Sequence, residues 1–474
     1  MEQENGAILE KGLLSHIQPI RESSTLDGKP AKIRKTAYLD GIRGFAALLV
    51  YILHHELWSH GWLKADVKLE NNFGYNGQYY LLSFYGLRNL FVGGHFAVSC
   101  FFVLSGYVLS AKPLALIMAG DYSGLSENVA SALFRRWLRL YLPIIVITLS
   151  LIIFYHVTGV IGTVKLEKSF RAELWKWYTE GKNWTFIFTG GGDPWFTYHP
   201  HTWSIPVEMK GSIVVYTSAM AFSRCSNKMR LWGEIFLITY FMYIADGAHF
   251  AMFMAGQLLC DLDTLEAHNK LPQWLTDLAP YKTRFFTGAF FVALFLGGVP
   301  AQSTDMNQFR AQPGWYLLSL LKPQAVFDFK WFYLFWAAIL MVSAAGRLPW
   351  LRAFFENKYN LYLAKISYGF YLMHGPILWT LGNRMYCAIG YNGEEHSLTM
   401  PRWVNAFPYL PRVGPFGFET DFLICQMILF PLTLWAAELC TNFIDDPSIK
   451  FTQWLYKQFK GDSGSSRDSR REQK

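Results

Sequence analysis

The sequence predicts an all-α protein, a polytopic bundle of about ten transmembrane helices. Of its 474 residues, 52% are hydrophobic and 18% are aromatic, whereas only 16% are charged. A soluble domain carries about 25% charged residues, so this composition is typical of a membrane protein. The apolar residues are also gathered into long runs that short basic loops separate, which is the pattern of helices that cross a bilayer repeatedly.

Ten apolar runs are predicted as helices, in chain order. They are residues 38–58, 91–111, 138–160, 202–222, 231–246, 248–262, 285–300, 331–346, 363–384 and 421–444. The fifth and sixth, on either side of Asp246-Gly247, are short for a full crossing, and we expect them to be tilted, broken or covered by neighbours. The predicted membrane domain is therefore 38–446, between an N-terminal tail, 1–37, and a C-terminal tail, 447–474.

Basic residues predict the orientation of the bundle. The net charge of +8 comes largely from Lys and Arg in loops beside apolar runs, where it reports membrane topology and indicates no nucleic-acid partner. Ten helices with positive loops inside place both termini in the cytosol, in the endoplasmic reticulum or another endomembrane. Asn183 begins an Asn-Trp-Thr glycosylation sequence on the opposite side, which predicts a glycoprotein.

The first apolar run carries two ionisable residues, Arg43 and His54. Eleven residues of α-helix rotate by about 1100°, so these side chains share one helix face about 16 Å apart. An arginine there can hold an anion, and a histidine can accept a proton near neutral pH. The alternative is structural, with a histidine hydrogen-bonded inside the bundle and an arginine that extends to the interface.

Two further runs place charge beside apolar segments. Arg136 and Arg139 are three residues apart and share a helix face at the start of the third run, where they either mark the cytosolic side or bind phosphates. Glu208 enters the fourth run and requires a partner at that depth. It could orient His54, pair with Arg43, or form a structural ion pair with Lys210.

Two short segments favour structural interpretations. Ser105-Gly106 in the second run allows close helix packing. In the ninth run, His374 and Tyr368 are six residues apart, on roughly opposite sides of an ideal helix, and Pro376 is expected to kink that helix. From spacing alone, a structural role for His374 is the preferred interpretation.

The sequence resembles the fungal branch of the acyltransferase-3 family of multi-pass membrane acyltransferases, over about residues 38–448. The segments YLDGIRGFAALLVYILHH, FFVLSGYVLS, RRWLR, HTWSIPVE, ISYGFYLMH and IDDPS occur here in the order typical of that family. The family patterns fall on Arg43 and His54 (Arg-x10-His), Phe101 to Gly106 (Phe-Phe-x-x-Ser-Gly), Arg136 and Arg139 (Arg-x-x-Arg), and Trp203 to Glu208 (Trp-Ser-x-x-x-Glu).

This resemblance implies an O-acyltransferase that uses an acyl-CoA, with acetyl-CoA as the expected co-substrate and no permanently bound cofactor or metal. His54 would be the general base, Glu208 would orient it, and Arg43, Arg136 and Arg139 would bind the CoA phosphates. Some bacterial relatives carry a fused extracytoplasmic domain that completes transfer to a polysaccharide. No segment here corresponds to it, so we expect the membrane core to bind both substrates.

The expected acceptor is a lipophilic small molecule, such as a secondary metabolite. Two alternatives stay open at this point. One is O-acetylation of a polysaccharide or other glycan, and the other is a transporter in which intramembrane charges line a pathway.

Overall fold

The computed structural model describes residues 34–60, 84, 86–160, 162, 164–188, 195–301, 304–408, 411 and 419–460. Across these ranges the chain forms helices and no strand, so the predicted all-α class is confirmed. The α-helices are α1 (Ala37–His60), α2 (Asn89–Val92), α3 (Gly94–Met118), α4 (Tyr122–Thr158), α5 (Phe170–Thr185), α6 (Ser204–Ala221), α7 (Asn227–Tyr243), α8 (Ala248–Ala267), α9 (Gln273–Thr276), α10 (Lys282–Gly297), α11 (Met306–Ala311), α12 (Tyr316–Ser319), α13 (Lys330–Arg347), α14 (Pro349–Phe355), α15 (Lys358–Ile377), α16 (Asn383–Ala388), α17 (Glu394–Thr399), α18 (Thr420–Cys440) and α19 (Asp446–Phe459).

Each of the ten predicted runs coincides with a helix, but fewer helices satisfy the length and apolarity needed to cross a membrane. Within the described ranges, four do so: Ala37–Ser59, Gly94–Met118, Tyr122–Thr158 and Thr420–Phe459. A fifth is counted if α13 and α14, which meet at a bend of 101°, form one broken span. The prediction of about ten crossings is higher because several of the other helices are short or carry charged side chains, as α7 does with Arg230 and Glu234.

Helix α4 starts well before the predicted residue 138. The Asp121 side chain accepts a hydrogen bond from the Gly124 backbone N–H at 2.8 Å and caps the first turn. The helix then continues for 37 residues, about 55 Å, and ends at Gly159, whose φ of 67° is left-handed. Because polar and charged residues interrupt the apolar ones in residues 122–137, the hydrophobic pattern did not include them. Arg136 and Arg139 therefore lie well inside the helix.

Two π-helical segments extend the C-terminal helices. Leu378–Gly382 begins two residues after Pro376 and joins α15 to α16, so a wider helical turn lies next to the position of the predicted kink. Thr441–Asp445 joins α18 to α19 in the same way. Residues 447–459 therefore continue a helix where a tail was predicted. The rest of the predicted C-terminal tail, 461–474, and residues 1–33 of the N-terminal tail lie outside the described residues.

Glycines bring the central helices close together. A Cβ at Gly44 of α1 would lie 2.0 Å from the Asn360 carbonyl oxygen of α15, and one at Gly106 of α3 would lie 1.9 Å from the Phe253 carbonyl oxygen of α8. Neither helix pair could pack this closely with a larger residue. The close packing predicted at Ser105-Gly106 is therefore present, and the contact at Gly44 sets α1 against the helix that carries His374.

A buried polar cluster joins α7 to α8. The Arg230 guanidinium donates two hydrogen bonds of 2.7 Å to the Asp261 carboxylate, and both side chains are buried. Beside this pair, the Gln257 side-chain amide donates to Glu234 at 2.9 Å, and Ser218 of α6 donates to Gln257 at 2.8 Å. The charges that make these two helices unfavourable in lipid are therefore paired or hydrogen-bonded to one another.

Candidate active site

His54 lies in the middle of the bundle, hydrogen-bonded to a second histidine. Its Nδ1 lies 2.7 Å from Nε2 of His374, and Nδ1 of His374 lies 3.2 Å from the Phe370 carbonyl oxygen one turn earlier in α15. A carbonyl oxygen can only accept, so Nδ1 of His374 carries a proton and donates it. In the neutral ring Nε2 of His374 is then the acceptor, and His54 donates from Nδ1.

This pattern leaves Nε2 of His54 with a free lone pair. The imidazole is partly buried, and among the described residues Nε2 has no hydrogen-bond partner, although it is accessible. A neutral imidazole with its second nitrogen already donating is the form that accepts a proton from a substrate. His374 can orient this base and stabilise the imidazolium that forms. We call His54 and His374 the histidine dyad.

His201 fixes the plane of the His54 ring. The two imidazoles are parallel, with ring centroids 3.7 Å apart and an interplanar angle of 6°. His201 lies in the 3₁₀ turn Pro200–Trp203 that precedes α6, and its backbone carbonyl accepts a 2.5 Å hydrogen bond from the Tyr371 hydroxyl. Trp379 packs against the ring of His201, with centroids 5.0 Å apart. His54 is therefore held in one orientation by stacking and by the hydrogen bond to His374.

Among the residues that the structure describes, His54, His201 and His374 also form a group that could bind a metal ion. One ring nitrogen each from His54, His201 and His374 lies within 4.8 Å of the others. Two nitrogens on a tetrahedral zinc are roughly 3.3 Å apart and their rings point toward the ion. Here two rings are stacked in parallel, and the 2.7 Å separation in the dyad is a hydrogen-bond distance. The arrangement fits a proton-accepting dyad better than a metal centre.

Glu208 pairs with Arg136, a partner that was not among those considered from the sequence. The Arg136 guanidinium donates to the Glu208 carboxylate from the neighbouring helix α4, and its Nε donates to Ser212 at 2.9 Å. Ser105, from the family motif on α3, also lies beside the Glu208 carboxyl group. Within the described residues, no hydrogen bond joins Glu208 to His54, so Glu208 does not orient the base through direct contact.

Arg139 and Arg43 lie near this ion pair. The charged neighbours of Arg139 are Arg136, Arg43 and Asp445, the first aspartate of the IDDPS segment. Arg43 binds Asp40 at 3.2 Å and the Ala364 carbonyl at 3.1 Å. Arg139 is exposed, and across the described ranges its guanidinium makes no hydrogen bond or ion pair. Of the three arginines, it has the guanidinium that is most available to an anionic ligand.

The structure thus gathers the predicted residues into two groups. His54 belongs to the histidine dyad, whereas Glu208, Arg136, Arg139 and Arg43 form an arginine cluster. Sequence reasoning missed His201 and did not assign His374 to this site. The available signal was that both lie inside segments already singled out by their resemblance, HTWSIPVE and ISYGFYLMH.

A comparison with known protein families assigns the chain to one of them. A family model described as an acyltransferase domain matches residues 36–408, most of the chain. The chain belongs to the acyltransferase-3 family. It is therefore an acyltransferase, and its long apolar helices agree with a membrane protein.

Curated fungal relatives agree with this assignment. The chain is 27% identical to O-acetyltransferase PaAT-1 of Phomopsis amygdali, over 94% of this chain and 89% of that protein. It is 23% identical to acyltransferase R4 of a Phoma species, over 90% and 97% of the two chains, and 23% identical to acyltransferase clz18 of Cochliobolus lunatus, over 89% and 96%. These relatives support an O-acyltransferase. No solved structure matches the chain.

Proposed function

We propose that this acyltransferase-3 member transfers an acetyl group from acetyl-CoA to a hydroxyl of a lipophilic small molecule, such as a secondary metabolite. The observation that carries the proposal is the free Nε2 of His54, held by His374 and by the stacked ring of His201. In an acyl transfer, a base of this kind can remove the proton from the acceptor hydroxyl as the hydroxyl attacks.

His54 carries the proton from the acceptor hydroxyl to the leaving CoA thiolate. The acceptor oxygen attacks the thioester carbonyl while Nε2 of His54 takes the hydroxyl proton, and His374 stabilises the resulting imidazolium. The C–S bond then breaks, the new ester is released, and His54 returns the proton to the CoA thiolate. Such general base catalysis contributes about 10²- to 10⁴-fold. A transient acyl group on Nε2 is the alternative route to the same products.

The arginine cluster is the proposed site for the CoA phosphates. Arg139 is exposed and lies beside Arg136 and Arg43, and guanidinium groups bind phosphate oxygens in pairs. Arg136 already holds Glu208 and Ser212, so it contributes mainly by positioning its neighbours. Arg43 and His54 lie on one helix about 16 Å apart, a distance that the flexible pantetheine arm could bridge.

Acyl transfer by the purified protein tests the proposal. Comparing metabolites of a deletion strain with those of the parent by mass spectrometry identifies the acceptor as an accumulated deacylated compound. The purified enzyme should then acetylate that compound with acetyl-CoA and release free CoA in equal amount. Movement of the compound across vesicles without ester formation would instead favour a transporter, and transfer only to a glycan would replace the proposed acceptor class.

Arg139→Lys tests the donor site. The substitution keeps the positive charge but removes the planar fork, so we expect the KM for acetyl-CoA to rise roughly tenfold and the KM for the acceptor to stay constant. Arg135→Lys is the matched control, because Arg135 lies on the same helix and donates to the Ser131 carbonyl at 3.1 Å. A larger change in the acceptor KM would move Arg139 into the acceptor site.

We also propose that the protein resides in the endoplasmic reticulum or another endomembrane with both termini cytosolic. The exposed Asn183, in the last turns of α5, would then face the lumen and be open to glycosylation. In sealed microsomes, protease should remove an N-terminal tag, and peptide N-glycosidase should increase the mobility of the wild type but not of Asn183→Gln. Protection of the tag would reverse the orientation.

A further inference from the structure

A second aromatic cluster lies next to the histidine dyad. It consists of His95 of α3, Trp203 of the 3₁₀ turn, His249 of α8 and Trp331 of α13, and we call it the cage. We propose that the cage binds the ring portion of the acceptor, and that the acceptor is a neutral alcohol carrying a ring. This inference rests on the proposed function and names the acceptor class for the same site.

The four rings contact one another from elements that pack together. The centroid of Trp331 lies 4.4 Å from that of His249, 5.9 Å from that of His95 and 5.9 Å from that of Trp203. The rings of Trp203 and His249 are 6.0 Å apart. All these contacts are inclined, with interplanar angles between 52° and 75°. The rings therefore meet at an angle to one another and do not form a flat stack.

Two nitrogen atoms in the cage lack hydrogen-bond partners. Nδ1 of His95 and Nε2 of His249 are buried, and neither is bonded within the part of the chain that the structure describes. Buried polar atoms without partners are rare, and each such atom is unfavourable by about 1–3 kcal/mol unless a ligand or water bonds to it. A ligand with polar substituents on a ring would satisfy both atoms, whereas a purely apolar one would not.

The cage adjoins the base on two sides. Trp203 follows His201 by two residues in the same 3₁₀ turn, and the ring of His201 is stacked on His54. His95 is also an electrostatic neighbour of His54. Protein encloses His95 and His249, yet both side chains remain partly accessible, as does Trp203. A ring held here would bring an attached hydroxyl close to the histidine dyad.

Charge and lining composition select the class of acceptor. Lys330 is the cation next to the cage, and its ammonium group is already held by Asp328 at 2.7 Å and by the Ala301 carbonyl at 3.3 Å. An anionic acceptor would have to displace that pair. The cage offers aromatic rings and two polar atoms, a composition typical of sites for lipophilic compounds, and Phe102 adds a further apolar ring 5.4 Å from His249. A neutral ring alcohol fits this site better than a glycan.

Acetylation of three simple alcohols tests the class. The purified wild-type enzyme is given acetyl-CoA with 3,4-dimethoxybenzyl alcohol, decanol or methyl glucoside, and ester formation is measured for each. We expect 3,4-dimethoxybenzyl alcohol, which carries two hydrogen-bond acceptors on its ring, to have the highest kcat/KM. Equal or better use of decanol or methyl glucoside overturns the proposal, and so does a lack of transfer to all three, because a site for neutral ring alcohols should accept this one. The proposed function is tested separately with the metabolite found by deletion.

Substitutions in the cage test the site. His249→Phe keeps an aromatic ring but removes Nε2, which would bond to a ring substituent, so the KM for 3,4-dimethoxybenzyl alcohol should rise about tenfold, while the KM for acetyl-CoA stays constant. His249→Gln restores a polar group and should recover part of the loss. Trp331→Phe should also raise the acceptor KM, and Trp232→Phe, on an exposed face of α7, should not. An unchanged acceptor KM in a folded His249→Phe protein, or a rise in the acetyl-CoA KM alone, overturns the assignment.

Discussion

Replacing His54 with glutamine should lower acyl transfer at least about 10²-fold while the protein still inserts, purifies as one species and binds acetyl-CoA. Glutamine is similar in size and can still hydrogen-bond to Nε2 of His374, but it cannot accept a proton at physiological pH. The loss should appear in kcat with little change in the KM for acetyl-CoA, because the proposed donor site is the arginine cluster. A His54→Gln enzyme with near wild-type kcat would contradict the mechanism.

Two other histidines serve as controls for that experiment. His268→Gln should be fully active, since His268 lies at the exposed end of α8 and its ring bonds to the Thr264 carbonyl of the same helix. His55, the neighbour of His54, is a less neutral choice, because it is buried and its Nδ1 lies 2.7 Å from the Tyr386 hydroxyl. His55→Gln is therefore expected to lower stability more than catalysis. If His55→Gln abolished activity and His54→Gln did not, the assignment of His54 as the base would be wrong.

Glu208→Ala should remove roughly 3–5 kcal/mol of folding stability. The Arg136 and Glu208 side chains are only 13% and 15% exposed, so removal of the carboxylate leaves a nearly buried guanidinium without its ionic partner. The measurement is the unfolding midpoint in detergent, by heat or denaturant, together with kcat for the protein that remains folded.

A double substitution separates structure from chemistry at this pair. Arg136→Met combined with Glu208→Leu removes both charges, so it should be more stable than Glu208→Ala. The sequence predicted Glu208 as a catalytic residue, and that role is tested by the same proteins. A Glu208→Ala protein that is as stable as the wild type but inactive would place the carboxylate in the reaction, whereas parallel losses would make it a positioning residue.

The helices and half of the site could be predicted from the sequence, because both depend on local signals. Apolar runs located ten helices, and the spacing of Arg43 and His54 placed the arginine and the base on one helix. The start of α4 was missed because its first turns are polar and depend on the cap at Asp121. Hydrophobic periodicity does not detect a water-facing extension of a helix.

The partners of the charged residues could not be predicted, because they come from distant parts of the chain. His54 and His374 are separated by 320 residues, and Arg136 and Glu208 by 72. Which side chains meet depends on how closely the helices pack, for example at Gly44, and on wider turns such as the one after Pro376. A single sequence records the residue types that need partners but not the distances between them.

The polar contact between α7 and α8 constrains how the chain can be assembled during synthesis. Arg230 alone would carry an unpaired cation into hydrocarbon, and Asp261 alone would carry an anion. The two helices are joined by a short connection around Asp246, and their opposite charges are bonded to each other. Release of the two helices from a translocating channel as one hairpin would keep Arg230 paired with Asp261, whereas release of either helix by itself would expose an ion. We therefore expect α7 and α8 to be inserted together and not one after the other.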